Sequence, residues 1–271
     1  MSDSATFSGT RILAIANQKG GVGKTTTTIN LGTALAAVGE RVLILDVDPQ
    51  GNASTGLGVR ASARQRTMYD VLAGDAGLAD VAVPVAVPNL YVAPGSVDLA
   101  GLEIEFASVP DRAFRLKSAL TRSRGPDGRL PWTYILIDCP PSLNVVTINA
   151  MTAADALIVP LQCEFFALEG LSQLLRTVEM VRASLNPRLH IQGVVLTMYD
   201  GRNRLSEQVA QDVRAHFGTT VYSTVIPRNV RVSEAPSFGK PALIYDYKSA
   251  GSQAYIRLAS ELIQRERAVA A

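Results

Sequence analysis

The stretch Asn17-Gln18-Lys19-Gly20-Gly21-Val22-Gly23-Lys24-Thr25-Thr26-Thr27-Thr28 limits what this chain can fold into more than any other. An apolar run, Ile12-Leu13-Ala14-Ile15-Ala16, precedes it and reads as a short buried strand. The run Ile29 to Val38 follows it and reads as a helix. Strand, glycine-rich turn and helix, in that order, are the setting a phosphate-binding loop requires. Glycines let the backbone come close, so successive N–H groups point inward at phosphate oxygens. The positive end of the helix dipole falls at the same point. Lys24 is then placed to reach the terminal phosphates and the Thr25 hydroxyl to bind magnesium. Position 18, where the usual G-x-x-x-x-G-K-[ST] pattern has its first glycine, holds Gln18, and a second lysine, Lys19, gives K-G-G-x-G-K-T-T.

The rest of the chain has to supply a frame for that loop. Its 271 residues are enough for one large α/β domain. A hydrophobic content of 47% with 18% charged residues is that of a globular chain. Strand-like apolar runs at 12–16, 42–46, 90–93, 134–138, 156–160, 191–197 and 221–225 alternate with helical stretches. This alternation predicts an α/β fold, a doubly wound, mostly parallel sheet with helices on both faces. Ligands in such sheets sit beyond the carboxyl ends of the strands, so polar residues just past each strand carry the chemistry. Residues 1–10 are expected to be a short disordered extension without a signal-peptide core, and 11–271 a single domain. No apolar run approaches the roughly 20 residues of a membrane span. Two cysteines make no disulfide framework, which points to the cytoplasm.

Two strand ends carry three acids. Val42-Leu43-Ile44-Leu45 delivers Asp46 and Asp48, which share one side if the strand persists that far. One can orient a metal-bound water and the other an attacking water, which is most of what a protein does in phosphoryl transfer. Tyr134-Ile135-Leu136-Ile137 ends in Asp138, the arrangement that reaches magnesium through water. Cys139 and Cys163 read as small buried thiols rather than cluster ligands. His190 and His216 are isolated, and no Cys/His cluster suggests zinc. Residues 1–169 carry 13 basic and 16 acidic side chains, residues 170–240 carry 9 and 5. That bias suits a phosphate-backbone surface and ordinary solvated helices equally. A second basic cluster, Arg112, Arg115, Lys117, Arg122, Arg124 and Arg129, reads as a solvated face.

The loop variant resembles that of the deviant Walker-A ATPases, the group containing ParA/Soj, MinD and the nitrogenase iron protein. Asp46-Val47-Asp48-Pro49-Gln50-Gly51-Asn52 and the run from Pro227 to Pro241 resemble the ParA/Soj branch in particular, and the likeness extends from Ile12 to about Leu262. The resemblance implies an ATP site made by Lys19, Gly20, Gly21, Val22, Gly23, Lys24, Thr25, Thr26 and Asp48. Pro227, Arg228 and Asn229 would meet the base. Thr25, Asp46 and Asp138 would hold magnesium, and Lys19, Lys24 and Asp48 would act in hydrolysis. Lys19 would reach across a homodimer to the partner's nucleotide. Arg202, Arg204 and Arg231 fall where the family binds DNA.

The implied function is an ATP-dependent chromosome-partitioning ATPase. It would dimerise on ATP, bind DNA without sequence preference, and be switched off when a ParB-type partner stimulates hydrolysis. Such a protein works in the cytoplasm, on the nucleoid. The rival is a MinD-like ATPase whose ATP dimer binds the membrane, which needs a terminal amphipathic helix with lysines and bulky apolar residues. The last stretch, Leu262 to Ala271, is short and weakly amphipathic, so DNA rather than membrane is expected. A non-enzymatic ATP-dependent scaffold is the other rival, and Asp48 argues for hydrolysis.

Overall fold

Seven strands form one sheet in the order β3-β4-β2-β5-β1-β6-β7. The strands are β1 (Arg11–Ile15), β2 (Val42–Asp46), β3 (Val83–Pro84), β4 (Leu90–Ala93), β5 (Tyr134–Asp138), β6 (Ala156–Gln162) and β7 (His190–Thr197). All neighbours are parallel except β3 against β4. The computed structural model describes residues 9–270, so the N-terminal extension expected at 1–10 lies almost wholly outside the described residues. Between and after the strands run α1 (Lys24–Ala37), α2 (Asn52–Gly56), α3 (Met68–Ala73), α4 (Leu78–Val81), α5 (Leu102–Glu105), α6 (Arg115–Arg122) and α7 (Val145–Ala153). Then come α8 (Ala167–Ser184), α9 (Arg204–Phe217), α10 (Val230–Glu234), α11 (Ala242–Tyr245) and α12 (Ala250–Ala270).

Side chains alternate across a strand, and the central strands are apolar on both faces because helices cover both. Leu13, Ile15, Ile44, Leu136 and Ile158 point to the side packed by Leu31 and Leu35 of α1 and Tyr255, Leu258 and Leu262 of α12. Ile12, Ala14, Leu43, Leu45, Ile135 and Leu157 point to the other, under Leu72 of α3, Leu116 of α6, Met151 of α7, Leu174 of α8 and Val213 of α9. Among the described residues no helix is long and apolar enough to cross a membrane.

Two strands differ from the sequence reading. Val83–Pro84 adds an antiparallel edge strand, where proline costs no ladder bond because its missing N–H can face outward. Residues 221–225 do not become a strand: only Val221 bridges β7, through Val194. The reason is Glu261 of α12, whose carboxylate accepts the backbone N–H of Ser223 at 2.8 Å and of Thr224 at 2.9 Å. Those donors are therefore not free for a ladder.

A second carboxylate of α12 ties the helix to the start of the sheet. Glu266 is buried, accepts Tyr134 Oη at 2.6 Å and pairs with Arg11 Nε at 2.8 Å. Glu266→Ala removes the acceptor of the Tyr134 hydroxyl and of Arg11 Nε near the core and is expected to cost about 2–3 kcal/mol, read as a lower urea midpoint. A shift under about 0.5 kcal/mol, the size of an ordinary surface change, would contradict that role.

Candidate functional site

The strand order brings the catalytic-looking ends together. β5 lies between β1 and β2, and the register places Ile15 opposite Asp138 and Asp138 opposite Asp46. The glycine-rich loop leaves β1 directly above this pair of acids. Gly21 and Gly23 have φ of 74° and 90°, in the left-handed region that favours glycine. A Cβ at Gly20 or Gly21 would meet nothing within 4 Å, so the loop faces open space of the kind a phosphate occupies. Neither an acidic first turn nor a side-chain cap competes for the N-terminus of α1. Around this mouth is a cleft of about 330 Å³ lined by Gly20, Gly21, Gly23, Lys24, Thr25, Thr26, Asp48, Gln50, Asn52, Pro141 and Met198.

The two lysines of the loop face different ways. Lys24 is buried and its Nζ donates to the Lys19 carbonyl at 2.9 Å. Burial lowers its pKa, against the pull of Asp138, Cys139 and Asp48. Lys19 is partly exposed and its Nζ pairs with Glu164, just beyond β6. It lies on the rim of a shallow hollow of about 430 Å³ shared with Gln18, Pro141, Leu143, Phe166, Glu169, Gly170 and Gln173. Leu143, Phe165 and Phe166 are exposed here, Phe165 by 76%.

Under the loop, Asp46 and Asp138 are fully buried. Asp46 Oδ2 accepts Ser54 N at 2.8 Å and Ser54 Oγ at 2.5 Å, and Asp138 Oδ1 accepts Thr28 Oγ1 at 3.1 Å. The remaining oxygens, Asp46 Oδ1 and Asp138 Oδ2, have no partner among the described residues. Burial pushes both carboxyls well above the usual range. The Ser54 bonds pull Asp46 back, while nearby Asp46 lifts Asp138 further against the Thr25 and Thr28 hydroxyls. Two orphaned acid oxygens, with the Thr25 hydroxyl near Asp138, fit a divalent cation, which would relieve both effects. No three His, Cys, Asp or Glu converge among the described residues, so phosphate oxygens and water would supply the remaining ligands of a bound magnesium.

Asp48 sits differently from the sequence reading. β2 stops at Asp46, so the two acids are not set by strand alternation. Asp48 lies in the following turn, buried to 8% exposure, where its Oδ1 accepts Gln50 N at 2.9 Å and its carbonyl accepts Gly51 N at 2.9 Å. Its side chain lines the cleft.

The base-side loop adjoins the cleft through β7. Met198, a cleft residue with φ of 51°, precedes Tyr199, which bridges Pro227. Arg228 N donates to the Tyr199 carbonyl at 3.0 Å, and Asn229 caps α10 by accepting Val232 N at 3.3 Å. The three arginines expected at DNA stand outside the cleft. Arg202 is exposed and grips Asp200 at 3.0 and 2.9 Å, holding that carboxyl down at about 2. Arg204 is exposed at the start of α9. Arg231, 55% exposed, pairs with Glu234 at 3.2 Å and Asp246 at 3.6 Å. In the rival basic cluster, Arg115 instead donates to the carbonyls of Leu72 and Ala73 at the end of α3. Both cysteines are buried, and burial raises both thiols, Cys163 to about 11.

Several site residues carry no legible signal in the sequence. Thr197, at the end of β7, donates to the Val22 carbonyl at 2.8 Å and packs its methyl at 3.8 Å from where a Gly23 Cβ would stand. Asn17 Nδ2 donates to the Pro160 carbonyl at 2.8 Å, clamping the loop to β6. Ser54 and Thr28 hold the two acids, yet serines and threonines are too common for spacing alone to single them out.

Known proteins resemble this chain over nearly its whole length. Residues 10–191 match the family model described as an AAA domain. The chain is 69% identical over 257 residues to the chromosome partitioning protein ParA of Caulobacter vibrioides, covering 95% of each. It is 52% identical over 252 residues to the sporulation initiation inhibitor protein Soj of Bacillus subtilis, covering 93% of this chain and 98% of that one. Among solved structures, cobyrinic acid a,c-diamide synthase from Mycobacterium smegmatis with bound ADP and magnesium superposes with a TM-score of 0.82 at 37% identity, covering 95% and 96%. The septum site-determining protein MinD with Mg-ADP from Pyrococcus horikoshii gives 0.74 at 33%, covering 93% and 96%.

Proposed function

Because this chain belongs to the ParA/Soj family of chromosome-partitioning ATPases, with ATP and magnesium as its cofactors, we propose that ATP closes it into a homodimer that binds DNA of any sequence. Hydrolysis, stimulated by a ParB-type partner, then reopens the dimer and releases the DNA. We propose further that residues 11–271 act as one ATPase unit, working in the cytoplasm on the nucleoid.

The observation that carries this reading is the division between the two lysines. Lys24 is buried inside its own loop, whereas Lys19 points to the rim beside exposed Leu143, Phe165 and Phe166. Apolar side chains exposed together mark a contact surface, and a lysine on that surface can complete a second copy's phosphate site. A symmetric pair would use each lysine once.

Within one chain the backbone N–H groups of Gly20 to Thr26 would cradle the phosphates and Lys24 would face the terminal ones. Thr25, Asp46 and Asp138 would hold magnesium, directly or through water. Magnesium, when bound, offsets the charge that develops on the transferred phosphoryl oxygens. Asp48, fixed by the Gln50 N–H and facing the cleft, orients the attacking water. Pro227, Arg228 and Asn229 would border the base.

For the output, Arg202, Arg204 and Arg231 lie outside the cleft and neutralise phosphates, which gives salt-sensitive, sequence-independent affinity. The test is co-sedimentation with duplex DNA and, separately, anionic liposomes, each without nucleotide, with ADP and with ATP. Pelleting with DNA only in ATP is expected. Pelleting with liposomes and not DNA would overturn the reading in favour of a membrane switch. Arg231→Ala is expected to weaken all DNA sequences alike and to reduce the salt slope by about 1. A loss confined to one sequence would contradict non-specific binding.

A further inference from the structure

Arg64 is the side chain that joins the Asp48 turn to the rest of the sheet. It lies just after a short 3-10 turn, Ala61–Ala63, in a segment outside any strand or α-helix. Its Nη2 donates to the Gly51 carbonyl at 3.0 Å, the Thr55 hydroxyl at 2.8 Å and the Val59 carbonyl at 3.0 Å. Its Nη1 donates to the Gly95 carbonyl at 2.9 Å and its Nε to Val59 at 3.2 Å. One planar guanidinium therefore links the turn after β2, the end of α2 with the segment after it, and the loop after β4.

Two glycines make this approach possible. A Cβ on Gly51 would clash with Arg64 Nη1. A Cβ on Gly95 would come within 2.7 Å of the Asp46 carbonyl and 2.8 Å of the Asp48 carbonyl. Gly95 N also donates to Ser54 Oγ at 3.1 Å, and Ser54 in turn holds Asp46. A continuous chain thus runs from Arg64 to Gly51, and from the Gly51 N–H to Asp48. The same guanidinium reaches Gly95, against which both acids' backbones rest.

We propose that Arg64 is a positioning residue for hydrolysis: it locks the Asp48 turn so that the carboxylate is held at the attacking water, without itself touching nucleotide. This rests on the reading of Asp48 given above. Lysine cannot replace it, because an ammonium lacks the planar fork needed to serve acceptors on three segments at once.

The test is steady-state magnesium-ATP turnover of the full chain with duplex DNA present, comparing the parent protein with Arg64→Ala, Arg64→Lys and Asp48→Ala. A displacement of the water-orienting group by about 1 Å costs up to roughly a hundredfold in rate. Arg64→Ala is accordingly expected to lower kcat by about tenfold to a hundredfold with KM for ATP within about twofold of the parent. Arg64→Lys should fall between them, and millimolar ethylguanidinium should restore part of the Arg64→Ala rate. An unchanged kcat in Arg64→Ala would overturn the inference. So would equal losses in kcat, ATP affinity and urea midpoint with no rescue, the pattern of a general scaffold residue. If Asp48→Ala loses turnover while Arg64→Ala keeps it, only the inference about Arg64 fails. If Asp48→Ala itself turns over at the parent rate, the reading of Asp48 fails first.

Discussion

Asp48→Ala is expected to bind magnesium-ATP as the parent does and to lose about two to four orders of magnitude in kcat, the range typical of a water-activating group. The residue lines the cleft, and its side-chain hydrogen bond goes to Gln50 N rather than to the loop that cradles the phosphates. Removing it therefore leaves Lys24, the glycine cradle and the Thr25, Asp46 and Asp138 constellation in place. Phosphate release reports the rate, and retention of labelled ATP on a filter reports binding. If hydrolysis reopens the dimer, as proposed, the variant accumulates as an ATP-bound pair. Turnover undiminished in the presence of the stimulating partner would count against Asp48.

Lys19→Ala should have the opposite signature: nucleotide bound within a few-fold of the parent, but no dimer formed on ATP. Lys24, not Lys19, supplies the buried cation of the loop, so cis binding survives. Across a two-fold axis each lysine would make one charge-assisted bond to the other copy's phosphate. Such bonds contribute about 1.5–3 kcal/mol each, so losing both weakens the pair by about 3–6 kcal/mol, or roughly two to four decades in dissociation constant. Removing Lys19 also leaves Glu164 without its partner at the rim. That pair is partly exposed, so its own loss is a small term. A dimer of parent strength in light scattering would sink the trans-lysine idea.

Much of this was legible because the informative features are local. The loop from Lys19 to Thr28 and the acids ending β2 and β5 are written as contiguous runs, and the order of strands then places Asp46 beside Asp138. Six of the seven sequence-derived strand runs fall on observed strands. The seventh, 221–225, failed because its fate depends on Glu261, almost forty positions away, which captures two of its N–H groups. Asp48 lines the cleft, but the turn after β2 and not strand alternation sets it there. Ser54, Gly95 and Arg64 were invisible for a related cause. Each acts through a contact with a residue it does not adjoin, and nothing in its own neighbourhood distinguishes it.

Membership of the family carries ATP, magnesium and the ATPase reaction, whereas the proposed dimer rests on where Lys19 points. The decisive measurement is the sedimentation mass of Asp48→Ala, in which hydrolysis cannot erase the ATP state. It is made with ATP and with ADP, and repeated in the double variant Lys19→Ala with Asp48→Ala. Two chains per particle with ATP, one with ADP, and one under both conditions in the double variant are the expected results. A two-chain particle that forms with ATP whether or not Lys19 is present would contradict the switch.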